Sequence, residues 1–332
     1  MRTLALWVMT ALATAGCGGG SDKGDHGAAA DLSTSGPDLL PEFDMARTVT
    51  TYHYVSDHIL LPQSASDYAV DLNGSGKKNK LGSIVSLLIA AEHLDLQGQE
   101  DMAIARGEGL FLFSLTTGDP TLMTDADATL AEYTAVKMDP PDFSGAGKFV
   151  ADKSTKANFD GPIAGGTFVS ADPKTLAAPP TLRLNIGLSA TVSVSLPVIG
   201  ARLGFDAATD RLAMGRLGGA IKQSDINATL IPALAKLFNE IAHQDPCTSN
   251  CMNVKMTFDV GGCTNPDGSK AAVDGKIDLC EVSGNGLVQS LLSPDVQLFD
   301  GSGAWKPNKS NTVPDSLSLG AGFVAVKASF TE

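Results

Sequence analysis

Four of the five cysteines, Cys247, Cys251, Cys263 and Cys280, crowd into one stretch of the C-terminal third. An even number of close cysteines in an exported chain reads as two disulfides, and the sequence chooses none of the three possible pairings. The competing chemistry is a four-thiolate zinc site, which favours paired Cys-x2-4-Cys knuckles. Only Cys247 and Cys251 have that spacing, so disulfides are expected. The five histidines give no metal pair. His53 and His58 are five apart on a β-prone stretch, and on an uninterrupted strand they face opposite ways. His26 and His93 stand alone, and His243 falls near a helix C-terminus, where the dipole favours a cation. There is no His-Glu-x-x-His pair, no Gly-x-Ser-x-Gly elbow and no phosphate loop, because Gly145, Gly147 and Lys148 lack both the spacing and the following Ser or Thr. A glycosidase needs only two carboxylates across a cleft, but nothing singles out a pair from 37. Tyr52, Tyr54, Phe299 and Trp305 are the candidates for a sugar-stacking platform, with core packing their expected use.

Two acidic stretches carry a more specific pattern. One runs Asp274-Gly275-Lys276-Ile277-Asp278-Leu279-Cys280-Glu281, the other from Asp71 through Asn73, Ser75 and Gly76 to Asn79. Both resemble EF-hand calcium loops. The resemblance implies calcium ligands at Asp274, Asp278 and Glu281, and more weakly at Asn265 and Asp267, which serve only if the loop is rearranged. In the earlier stretch it implies Asp71, Asn73, Ser75 and Asn79. The departures are plain. Lys270 and Ala272 stand where the first loop needs carboxylates, while the second has Lys78 for an aliphatic residue and Gly82 for the final Glu. An Asx/Gly turn leading into a helix uses the same residue types with no metal.

The first residues read as a secretory signal: Arg2, an apolar run from Leu4 to Ala15, and small residues up to Cys17. That run is too short to cross a bilayer, which takes about 20 residues. Thr14-Ala15-Gly16-Cys17 resembles the lipobox of bacterial lipoproteins, with Thr14 where the family has an aliphatic residue. The resemblance implies cleavage after residue 16 and lipidation of Cys17. Gly18 after that cysteine is similar to lipoproteins sorted to the outer membrane. The Gly/Ala/Ser/Asp-rich residues 17–45 would then be a flexible tether, and 46–332 one globular domain.

The elements that position these residues follow from periodicity. Extended chain is expected over 47–61, a helix over 81–91, and buried strands over 109–117 and 129–138. Short strands with tight glycine turns are expected over 143–170, then a meander over 181–188, 191–196, 198–205 and 211–221. Ser224 is the expected cap of a helix with apolar positions from Ile226 to Ile241, kinked or restarted at Pro232. A short helix over 286–292 and a final strand over 316–330 complete the set.

With 43% hydrophobic residues the domain has ample material for a core. A net charge of −13 without a Lys/Arg cluster excludes nucleic acid as a natural partner. The expected fold is a β-rich α+β domain, an antiparallel sandwich or open barrel with about three packed helices and a disulfide-stapled loop region over 247–280. The expected function is a non-enzymatic binding or structural module of the cell envelope, held on the outer membrane or cell surface and stabilised by calcium if the loops bind it, with a protein or glycan partner. The second reading is an extracellular hydrolase of polysaccharide or lipid.

Overall fold

The computed structural model describes residues 48–331, apart from 93, 94, 139 and 190. Arg47–Glu332 form one compact unit. Cys17, the lipobox, the tether, His26 and His93 lie outside the described residues.

Ten strands make one large mixed sheet. In chain order they are β1 (Thr50–Leu60), β2 (Phe111–Thr117), β3 (Thr124–Ala135), β4 (Lys148–Ala164), β5 (Thr167–Val169), β6 (Thr181–Gly187), β7 (Ser193–Ala207), β8 (Arg211–Lys222), β9 (Ser316–Lys327) and β10 (Ser329–Thr331). Antiparallel pairing runs β4-β3-β2-β1-β9-β8-β7-β5, and β5 returns to β4, so three residues of β5 close an eight-stranded ring. β6 flanks the first half of β7, while β10 adds to β4 in parallel. Alternation decides what faces inward. Tyr54 lies opposite Phe113, and Leu115 opposite Leu130, on one face of β1 to β3. Inside, Phe113 stacks on Phe323 at 4.9 Å, Phe323 meets Phe205 edge-on at 6.2 Å, and Phe205 stacks on Phe168 at 5.0 Å. These rings link β2, β9, β7 and β5 across the barrel.

Where glycines suggest several short strands over 143–170, one strand of 17 residues forms, followed after a tight glycine turn by the three residues of β5. Gly161 serves close approach, not a turn: a Cβ there would sit 2.2 Å from the Val169 carbonyl oxygen, where β5 folds back. The actual turn is Gly165-Gly166, both at positive φ. β7 likewise runs straight through Pro197, which precedes the first β7–β8 pair at Ile199 and so lies where proline is tolerated, on a strand edge.

Helices α1 (Lys80–Glu92) and α2 (Leu96–Ala105) follow β1. The helix expected after residue 224 is not capped by Ser224. It begins with α3 (Gln223–Asp225) behind Lys222, passes through a π turn (Ile226–Leu230), and restarts as α4 (Ile231–Ala242) with Pro232 in its first turn. Three shorter helices, α5 (Ser249–Phe258), α6 (Leu279–Gly284) and α7 (Gly286–Leu291), complete a helical layer larger than expected. The cysteine region therefore is more than loop. Phe258 stacks on Phe238 of α4 at 4.2 Å, and Ile277 and Val282 are buried in the main core.

Candidate functional site

A groove of about 780 Å³ lies on the outer face of β1 to β4, within the range of small-ligand sites. Strand register builds it in rows. Thr51, Thr116 and Thr129 lie side by side on β1, β2 and β3, with Asp160 opposite Thr129 on β4. The next row is His53, Ser114, Ala131 and Asn158. In the third, Leu112 pairs with Tyr133. The Phe330 ring stands 4.4 Å from His53 and 5.8 Å from Tyr133, so β10 walls off that side. Lys156 lies over the Tyr133 ring at 5.3 Å. Ser114 is floor, whereas Thr51, Thr129, Asn158 and Asp160 are exposed. The hydroxyls of Thr51 and Thr116 are 3.0 Å apart. The lining is thus hydroxyl- and amide-rich, with one cation and one carboxylate on β4. Sequence reading missed it because its residues come from four strands, and each contributes only ordinary outward-facing polar positions.

The residues of the sugar-platform reading do not meet there. Tyr54 is fully buried inside the barrel and donates to the Ala208 carbonyl at 2.7 Å, and Tyr52 donates to that of Pro120. Phe299 and Trp305 pack edge to face in a separate hairpin. His58 follows an irregularity at Asp57 that interrupts the β1–β9 register, so the uninterrupted strand assumed for His53 and His58 does not exist. Five residues of strand still span about 16 Å, too far for a shared ion.

The cysteines form disulfides Cys247–Cys251 and Cys263–Cys280, which leaves no thiolate for zinc. In the later calcium-like loop each candidate ligand accepts at least one hydrogen bond from the protein itself. Glu281 Oε1 accepts from the N–H groups of Val260 and Gly261 at 2.9 and 2.6 Å, and Oε2 from that of Asp278 at 2.7 Å, in a capping box. Asp278 contacts the Lys276 ammonium at 2.5 Å, while Asp274 accepts from the Lys276 N–H. Asn265 accepts from the Cys280 N–H, and Asp267 from the N–H and hydroxyl of Ser269. These are the bonds of Asx turns and a helix cap.

In the earlier loop a lysine supplies the positive charge. Lys174 Nζ stands 3.3 Å from Asp71 Oδ2, 3.1 Å from the Asp71 carbonyl and 3.3 Å from Asp172. Burial raises the Asp71 carboxyl, but the Gly74 N–H and Lys174 outweigh it and hold it below its ordinary value. Asn73 accepts from both the N–H and the hydroxyl of Ser75. Asn79 has another task. Beyond Gly322 the edge of β9 has lost its β1 neighbour, and the Asn79 amide replaces it, donating to the Gly320 carbonyl at 2.9 Å and accepting from its N–H at 3.0 Å. In both loops these residues thus serve as turn, cap and ion-pair partners within the protein. Among the described residues no group of three or more His, Cys, Asp or Glu is placed to hold a metal ion.

One acid inside the barrel was not singled out by sequence. Glu132, on β3 between Phe113 and Ala157, is 1% exposed, and neither carboxyl oxygen has a hydrogen-bond partner among the described residues. Burial pushes its pKa well above the ordinary value. On α2, Glu100 is raised to about 7, by burial first and the neighbouring Asp101 second. These two acids lie on different elements, and neither lines the groove.

Among the described residues no helix is long and apolar enough to cross a membrane. No protein-family model matches the chain, and no curated protein or solved structure matches it either.

Proposed function

We propose that this chain is an exported lipoprotein of the bacterial cell envelope, anchored through Cys17, that works as a binding module through the groove on β1 to β4. The groove carries the reading: it concentrates hydroxyl, amide and charged groups on one outer sheet face. Two disulfides support an oxidising compartment. The resemblance of Thr14 to Cys17 to a lipobox supports the anchor. A single acyl chain holds a membrane only marginally, whereas two or more hold firmly.

The test separates anchor from groove. Wild-type protein is expected in the membrane fraction, with mass spectrometry showing an acylated N-terminal Cys17. A Cys17→Ser chain is expected in the soluble fraction. That soluble chain is expected to sediment with isolated envelopes, and Thr116→Val with Asn158→Ala is expected to abolish sedimentation. Undiminished sedimentation of the groove variant would remove the groove from the account.

A second reading has one observation in its favour. Ser114 lies directly across from His53 on the same face, the residue pair that acyl hydrolysis uses. Labelling of Ser114 by a fluorophosphonate probe, lost in Ser114→Ala, would favour a hydrolase.

A further inference from the structure

We propose that the groove takes a linear, uncharged oligosaccharide of about three units, lying across β1 to β4 at right angles to the strands. This deepens the binding reading above and rests on it.

The direction comes from the walls. Tyr133 lines one long side, next to the row of His53, with the Phe330 ring packed against both at 5.8 and 4.4 Å. A ligand therefore runs with the rows, from β1 to β4. Neighbouring strands are about 4.8 Å apart, so four strands give a track of about 14 Å. Along it the bonded Thr51–Thr116 hydroxyl pair, then Thr129 and Asp160, present hydrogen-bonding groups from four adjacent strands. A hydroxyl both donates and accepts. That is a row of interchangeable partners along the track, complementary to a chain that itself carries hydroxyls along its length. An extended pyranose polymer has this property.

The alternatives fit less well. An extended peptide docks on strand edges through its backbone. Within this face the edges of β1, β2 and β3 are already consumed by sheet pairing. Lys156 and Asp160 on β4 carry opposite charges, so they give the lining no net charge that would favour an anion or a cation. Ala131 sits in the floor between Ser114 and Asn158, where its small side chain leaves room for a ring substituent. Tyr133 is 1% exposed, beneath Lys156 and against Phe330, so it closes the groove without offering a stacking platform. Recognition then rests on hydrogen bonds.

The experiment is calorimetric titration of the full Cys17→Ser chain. The probes are β-1,4-linked glucose and N-acetylglucosamine oligomers of one to five units, with a Gly/Ser peptide of matched length as control. Affinity is expected to rise with each unit up to three and then level off. Thr129→Val with Asn158→Leu, both exposed positions, is expected to lower it at least ten-fold at an unchanged melting temperature. Absence of oligosaccharide binding, a plateau at one unit, or binding that survives the double substitution would overturn the glycan inference. If the peptide binds instead and the double variant loses it, the glycan is excluded while the groove stands as the binding site. If the titrated ligands all fail and envelope sedimentation also ignores the groove variants, both readings fall.

Discussion

Glu132 is the residue whose chemistry departs furthest from its surroundings. Burial favours the protonated form of this carboxyl in the folded protein, whereas in the unfolded chain it ionises around its ordinary value of 4.5. Its contribution to stability is complete below pH 4.5 and is lost as pH rises toward its raised folded value. Glu132→Met removes that dependence. The variant is expected to gain stability over wild type by up to about 1.4 kcal/mol for each pH unit above that point, until the folded-state pKa is reached. Denaturant unfolding at pH 4, 5.5 and 7 measures this, and a stability difference that stays flat across the series would mean the acid is solvated. Glu281 shows the opposite case. It is 3% exposed, yet three N–H groups satisfy its oxygens, so a residue that reads as a metal ligand in sequence acts as a clasp between the end of α5 and the start of α6.

At the scale of elements, the Cys263–Cys280 bridge and the Glu281 clasp hold the same short segment. Closing a loop of 17 residues' separation removes unfolded-state freedom worth about 3 kcal/mol. Cys263→Ser with Cys280→Ser is expected to cost about that much. Hydrogen exchange should speed up over residues 259–284 while the protection of β2, β8 and β9 is kept. Equal loss of protection in the barrel would show that the helical region and the sheet unfold as one unit. One helix, α2, was not read from the sequence. α2 carries a weak apolar stripe and an internal Gly98, and its clearest signal is a cap: Asp95 accepts from the Gly98 N–H at 2.9 Å. At Pro232, by contrast, proline's missing N–H left a kink or a restart as the readings from sequence, and α4 takes the restart.

For the molecule as a whole, stability rests on closing the ring of strands over its aromatic filling. Phe323 touches both Phe113 and Phe205, so Phe323→Ala should cost about 3–5 kcal/mol in denaturant unfolding. A loss below about 1 kcal/mol would mean that these rings do not fill the barrel. That is a large part of the roughly 5–15 kcal/mol of a typical domain.

By itself the sequence determined the β-rich α+β class, the strands with clean alternation, and the crowding of four cysteines. Each of these is fixed by local periodicity or composition. Tertiary structure decided the rest. It closed the barrel through three residues of β5, made one strand of 148–164 because Gly161 admits a neighbouring backbone, and chose one cysteine pairing of three. It also turned Asn79 from a presumed ligand into the missing neighbour of β9. The groove belongs to this second group, for a physical reason: Thr51, Thr116, Thr129 and Asp160 are up to 109 residues apart in the chain, and only the register of four strands makes them adjacent.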